Sequence, residues 1–255
     1  MNNKPLFIAF STQKGGVGKS AMTILAASIL HFRMGYNVAV FDCDYPQLSI
    51  SKLRERDVKS TLENERFKRL AYEQFTQLDK KAYPVIPCRA EEAIQTAGEF
   101  MKNSSVDYDM LFFDMPGTVN SSGILQTLSR MDYVFSPIVA DRLVLESTLP
   151  FMNVLTDVLV KSGNTNIQGI YLFWNMVDRR EKSELYAHYE QIIRELGLNL
   201  MQTSIPDSKR FRKELTAEAE NRLIFRSTIF PADKRLMKSS RLDDFITELL
   251  QIIKK

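Results

Sequence analysis

The densest chemistry in the chain sits at residues 13–20, QKGGVGKS. Gly18, Lys19 and Ser20 fit the end of the phosphate-binding pattern Gly-x4-Gly-Lys-Ser/Thr, but Gln13 occupies the place of the leading glycine. Backbone N–H groups from Gly15, Gly16, Val17, Gly18, Lys19 and Ser20 can converge on phosphate oxygens at a helix N-terminus. Lys19 then neutralises β- and γ-phosphates, and the Ser20 hydroxyl is suited to hold Mg²⁺. The second lysine, Lys14, has two readings. It is a solvated surface cation, or it reaches the phosphates held by a second subunit packed face to face, which would make ATP the glue of a dimer.

Two further stretches place carboxylates at strand ends. In FDCDYPQLS, Asp42 and Asp44 flank Cys43, so the two-residue period of a strand turns both carboxylates to one side. In MLFFDMPG, Asp114 ends an apolar run and suits an Mg²⁺ held through water, the plain alternative being a turn aspartate. Asn175 offers an amide that both donates and accepts, as an adenine edge requires, or else serves as a strand-end turn residue.

These residues need a scaffold, and the chain alternates apolar runs with helical patterns throughout. Strands are expected at 5–11, 37–43, 84–88, 109–115, 132–139, 167–174 and 200–205, each apolar on both faces as in a covered parallel sheet. Helices are expected between them at about 19–34, 47–81, 90–103, 121–130, 143–162 and 181–196, with the charged stretch 52–81 as an insertion of one long solvated helix or two. The pattern predicts an α/β, doubly wound, mainly parallel sheet with helices on both faces, and a single domain over 1–255.

A hydrophobic content of 44% with 25% charged residues suits a globular chain. No apolar run reaches membrane-spanning length, the N-terminus does not resemble a signal peptide, and Cys43 and Cys88 make neither a disulfide framework nor a metal cluster. A cytoplasmic protein with reduced thiols is expected. Net charge is only +3, yet residues 207–241 hold ten cations against five carboxylates. Lys209, Arg210, Arg212, Lys213, Lys234 and Arg235 are the candidates there for contacts to DNA phosphates, against the plain reading of a solvated face.

KGGVGKS with its early lysine resembles the deviant Walker A motif of the ParA/MinD/Soj ATPases, a P-loop NTPase family. The likeness extends through FDCDYPQLS, YDMLFFDMPG, FWNMVD and TSIPDSKRFR. The tail from Arg226 to Leu250 also resembles ParA-like, TraA-type proteins of conjugative elements from Bacteroides relatives. The resemblance implies slow, Mg²⁺-dependent ATP hydrolysis, ATP-driven homodimerisation, non-specific binding of double-stranded DNA at the nucleoid, and a stimulating ParB-like or transfer-apparatus partner. It implies that Asp44 positions the attacking water, that Asp42 supports the outer shell of the metal, and that Pro206 and Asp207 supply contacts on the adenine side. Two residues depart from the family pattern. Ala21 stands where a threonine commonly contacts the α-phosphate, and Tyr45 intervenes between Asp44 and Pro46. A MinD-like membrane role would need a basic amphipathic terminal helix, but the apolar stripe Leu242, Phe245, Ile246, Leu249, Leu250, Ile253 is faced by Asp243, Asp244 and Glu248. Docking of that helix on the core is expected, with no membrane anchor. An iron–sulfur carrier of the nitrogenase type would need cysteines beyond Asp114, and the chain has none after Cys88.

Overall fold

In the computed structural model, which describes residues 4–117, 122–160, 165–178, 180, 183–216 and 223–254, seven parallel strands form one sheet in the order β3-β2-β4-β1-β5-β6-β7. The strands are β1 (Leu6–Phe10), β2 (Val38–Asp42), β3 (Val85–Pro87), β4 (Met110–Asp114), β5 (Tyr133–Ile138), β6 (Gly169–Trp174) and β7 (Asn199–Leu200). All seven expected strands are present. The last is shorter than the expected 200–205, because from Met201 onward pairing is reduced to an isolated bridge between Val177 and Pro206.

Alternation along each strand builds two cores. Ile8, Phe10, Val38, Val40, Phe112 and Phe135 face α1 (Lys19–Met34), α2 (Ser49–Glu63) and α9 (Leu242–Ile253). Their neighbours Phe7, Ala9, Ala39, Phe41, Phe113 and Val134 face α4 (Ala93–Lys102), α5 (Ser122–Leu128), α6 (Arg142–Val154) and α7 (Ser183–Glu195). Each buried Val, Ile or Phe side chain among them contributes about 1.5–3 kcal/mol. Helix α1 lies deepest and stops at Gly35, whose φ of 80° and N–H bond to the Leu30 carbonyl give a left-handed cap. The apolar stripe of α9 is buried as expected, with Phe245 4.8 Å from Phe173 between ring centroids.

The stretch 52–81 corrects one expectation. It folds as the two helices α2 and α3 (Glu65–Leu78), the latter started by the Asn64 side chain accepting from Phe67 N–H, and they are solvated on their outer faces but bury an inner one. Phe67 is fully buried against Leu215, Ile229 and Phe230. Asp57 is also fully buried, and one carboxylate oxygen accepts from Ser227 Oγ at 3.1 Å, Thr228 N at 2.6 Å and Thr228 Oγ1 at 2.8 Å. Arg54 adds bonds to Thr228 Oγ1 and its carbonyl, at 2.8 and 3.0 Å. Burial pushes the Asp57 carboxyl above its usual range, and the bonds from Thr228 and Ser227 pull it back. The two helices therefore hold Leu215 and the segment 227–230.

Candidate nucleotide-binding site

The loop between β1 and α1 wraps a cleft of about 650 Å³ at the carboxyl edge of the sheet, where ligands bind in open α/β folds. Gly18 caps α1 with φ of 94°, and a side chain there would run into the Asn175 amide. Gly117, after β4, lies so close that an added Cβ would come within 3.1 Å of Gly15 N and 3.3 Å of Lys19 Nζ. A larger residue at 117 would push the two loops apart by a few tenths of an ångström.

Of the residues singled out in the sequence, Gly15, Gly16, Gly18, Lys19, Ser20, Ala21, Asp44 and Asn175 line this one cleft. Val17 is buried beneath it and offers backbone only. Its carbonyl accepts from Asn175 Nδ2 at 2.8 Å, so one of the two amide N–H donors holds the loop while the other and the carbonyl oxygen remain. Pro206 and Asp207 do not reach the cleft wall. They zip to Val177 through the bridge and the Asp207 N to Val177 O bond of 2.9 Å, while Met176 and Phe211 form that side.

Lys14 and Lys19 part company. Lys14 is exposed, as its outward reading required, whereas Lys19 is 7% exposed, with Nζ 3.5 Å from the Lys14 carbonyl. Burial lowers the Lys19 pKa, and nearby Asp114 and Asp44 offset this in part. Asp44 is half-buried on the cleft, and burial raises its pKa against the opposing pull of Lys19.

Asp114 and Asp42 are adjacent in register at the ends of β4 and β2, both fully buried. Ser20 donates to Asp114 Oδ2 at 2.5 Å, and Thr23 lies 3.4 Å from Oδ1. Thr23 escaped the sequence reading, although its place one helical turn past Ser20 could have drawn notice. Burial pushes the Asp114 carboxyl up to about 7, with Ser20 and Lys19 pulling the other way. Asp42 accepts from Ser51 N at 2.8 Å through one oxygen, while the other has no hydrogen-bond partner among the described residues. A hydroxyl, a desolvated carboxylate and an orphaned buried oxygen fit a hydrated divalent cation near Ser20.

The raised Asp114 pKa sets a pH dependence. The folded nucleotide-free chain holds a proton that the unfolded chain releases near 3.8, so the contribution of this group to stability falls as pH rises through about 7. Asp114→Asn should then melt several degrees above wild type at pH 8 without nucleotide, and the gap should close toward pH 5. Thermal melts of both proteins across that range check it. A gap that does not change with pH would be the opposite result.

Residues 8–220 match the family model described as the CobQ/CobB/MinD/ParA nucleotide binding domain. The chain belongs to this family. Among solved structures, a plasmid-partition protein of Borrelia burgdorferi B31 with AMPPNP bound superposes on this family member at a TM-score of 0.60. It is 19% identical, with 98% of each chain covered. The Pyrococcus furiosus cell division ATPase MinD gives a TM-score of 0.57 at 17% identity, covering 98% of this chain and 99% of its own. At these identities the likeness is one of fold. A 67-residue stretch is 38% identical to the iron–sulfur cluster carrier protein of Bacillus subtilis, spanning 18% of that relative's length.

The basic stretch adds a second surface. Lys209–Arg212 form a 3₁₀ turn, and Arg210 donates to Ser239 Oγ at 2.8 Å, the last residue of α8 (Lys234–Ser239). That bond joins the two basic segments, with Lys209, Arg210, Arg212, Lys213, Lys234 and Arg235 all exposed. Arg212 also lines the nucleotide cleft, together with Arg56, Glu214 and Arg226, none of which except Arg212 was singled out in the sequence. Glu214 pairs with Arg56 at 2.9 Å and Arg226 at 2.8 Å. Arg222, Glu218 and Glu220 lie outside the described residues.

Proposed function

We propose that this family member is a slow Mg²⁺-dependent ATPase, acting over one domain as a dimerisation switch that binds double-stranded DNA non-specifically. The division of labour between its two loop lysines carries this reading. Lys19 is buried inside its own cradle, and Lys14 stands exposed at the rim, free to serve a second copy. Ser20, Asp114 and, at one remove, Asp42 would hold the cation. The ion would supply positive charge against the phosphates. The backbone from Gly15 to Ala21 cradles the phosphates, Asn175 with Met176 and Phe211 bounds the base, the Pro206–Asp207 segment supports that side through Val177, and Asp44 aims the attacking water.

The joined basic surface supports DNA as the partner, and its overlap with the cleft at Arg212 gives nucleotide a route to affect it. The payload would be a plasmid, chromosome region or conjugative element, with a ParB-like or transfer-apparatus protein as stimulator and the nucleoid as location. For a MinD-like membrane role, α9 would have to expose an apolar face that is buried in the core. No helix among the described residues is long and apolar enough to cross a membrane.

Reversing Lys209, Arg210, Arg212 and Lys213 to Glu tests the DNA reading. ATP-dependent binding to arbitrary duplex should be lost while ATP-driven dimerisation survives. Neutralising them singly should flatten the slope of log affinity against log salt by roughly 0.9 for each phosphate that no longer meets a cation. Undiminished duplex binding by the reversed variant would move the DNA surface elsewhere.

A further inference from the structure

Two thiols meet beside the reacting carboxylates. Cys43 follows Asp42 at the end of β2, and Cys88 follows Pro87 at the end of β3. The register Asp42–Pro87 places the cysteines side by side, and Cys88 N donates to the Asp42 carbonyl at 3.1 Å. Their sulfurs are 3.6 Å apart, both thiols free. Adjacent strands are spaced about 4.8 Å apart, inside the range of Cα separations that a disulfide spans. Cys43 is 1% exposed, whereas Cys88 is half-buried and open to a small oxidant. A second contact ties the same two strand ends, with the Arg89 guanidinium 4.8 Å from the Tyr45 ring centroid.

We infer that Cys43 and Cys88 form a reversible oxidation site for peroxides that disables the Asp44 loop; the consequence for turnover rests on the ATPase reading above. The Cys88 sulfur attacks one oxygen of hydrogen peroxide, the O–O bond breaks, and the departing hydroxide leaves as water with the thiol proton. The Cys88 sulfenic acid is then attacked by the Cys43 sulfur. The S–S bond forms as the S–O bond breaks, and a second water carries away the Cys43 proton. Two electrons pass from the sulfurs to the peroxide. Closing 3.6 Å to a bond of about 2.05 Å pulls on the residue between Asp42 and Asp44. Displacement of a positioning group by about 1 Å can cost on the order of 100-fold in rate. The phosphate loop itself is untouched, so nucleotide binding persists.

The test treats the full chain with hydrogen peroxide and reads three quantities: intact mass and linked peptides, ATP turnover, and binding of a fluorescent ATP analogue. Expected are an intramolecular Cys43–Cys88 link, a roughly 100-fold fall in turnover, retained analogue binding, and recovery with dithiothreitol. Cys88→Ser, and Cys88→Ala as a second variant, should keep their turnover under the same treatment. Absence of the link, linkage only between chains, or a link with undiminished turnover would overturn the inference. An untreated chain without any ATP turnover would instead sink the ATPase reading. The pair would then stand or fall on the link seen by mass.

Discussion

Lys14→Ala is expected to bind ATP nearly as well as wild type yet to remain monomeric and hydrolyse on the order of 10³-fold more slowly, the loss seen when a cation supplied in trans is removed. Lys14 is exposed at the rim and makes no side-chain contact that the cradle needs, so its removal leaves the monomer site intact. Lys19→Ala should fail one step earlier. Its ammonium is buried beside Asp114 and Asp44, and without it two carboxylates face a triphosphate with the nearest counter-charge of the phosphate loop gone. Charge-assisted hydrogen bonds contribute about 1.5–3 kcal/mol each, so affinity should drop by roughly 10- to 100-fold or more. Titrating nucleotide while sizing the protein in solution separates the two variants. A Lys14→Ala chain that dimerises and turns over normally would remove the partner-directed role.

Asp44→Ala should lock the protein in its ATP-bound form. Asp44 borders the cleft but holds neither the phosphate loop nor Ser20, so binding should survive. Loss of one negative charge beside the triphosphate should, if anything, strengthen it. Hydrolysis should fall about 100-fold or more, the contribution of a positioned proton-accepting group. The variant should then stay on DNA as a dimer long after wild type has released it. Asp42→Ala is the informative comparison. Asp42 is fully buried and bonded to Ser51 N, so its loss should cost folding stability as well as turnover. Turnover and DNA residence for both variants decide the assignment, and an Asp44→Ala chain hydrolysing at the wild-type rate would end it.

The sheet and the phosphate loop were legible in the sequence because their signals are local. Apolar runs such as VAVFD and MLFFD bury both faces, and Gly18 announces a turn that only glycine makes without strain. Residues that act across long sequence separations were not legible. Asp57 finds Thr228 only because α2 folds under the last third of the chain, so a run of charges read as solvated conceals a buried carboxylate. Asn175 also uses one amide N–H to hold the Val17 carbonyl, a partner far away in the chain that no local motif announces. The Cys43–Cys88 pair depends on β2 lying beside β3, a register that cysteine spacing alone does not reveal. The Arg56–Glu214–Arg226 cluster has the same origin in tertiary folding rather than in motif.

The burial of α9 has a consequence for biosynthesis. Phe245, Ile246 and Leu249 complete the core that α1 begins, yet α1 starts at Lys19 and α9 at Leu242, 223 residues later. At translation rates of about 5–20 residues per second, α1 leaves the ribosome roughly 10–45 s before α9 is made. During that interval the core that Leu25 and Ile29 share with Phe245, Ile246 and Leu249 is incomplete, so the nascent chain carries an uncovered apolar surface. Chaperones that hold apolar segments would find this site early. Synonymous codon changes that slow translation before residue 242 should lengthen the exposure and lower the soluble yield.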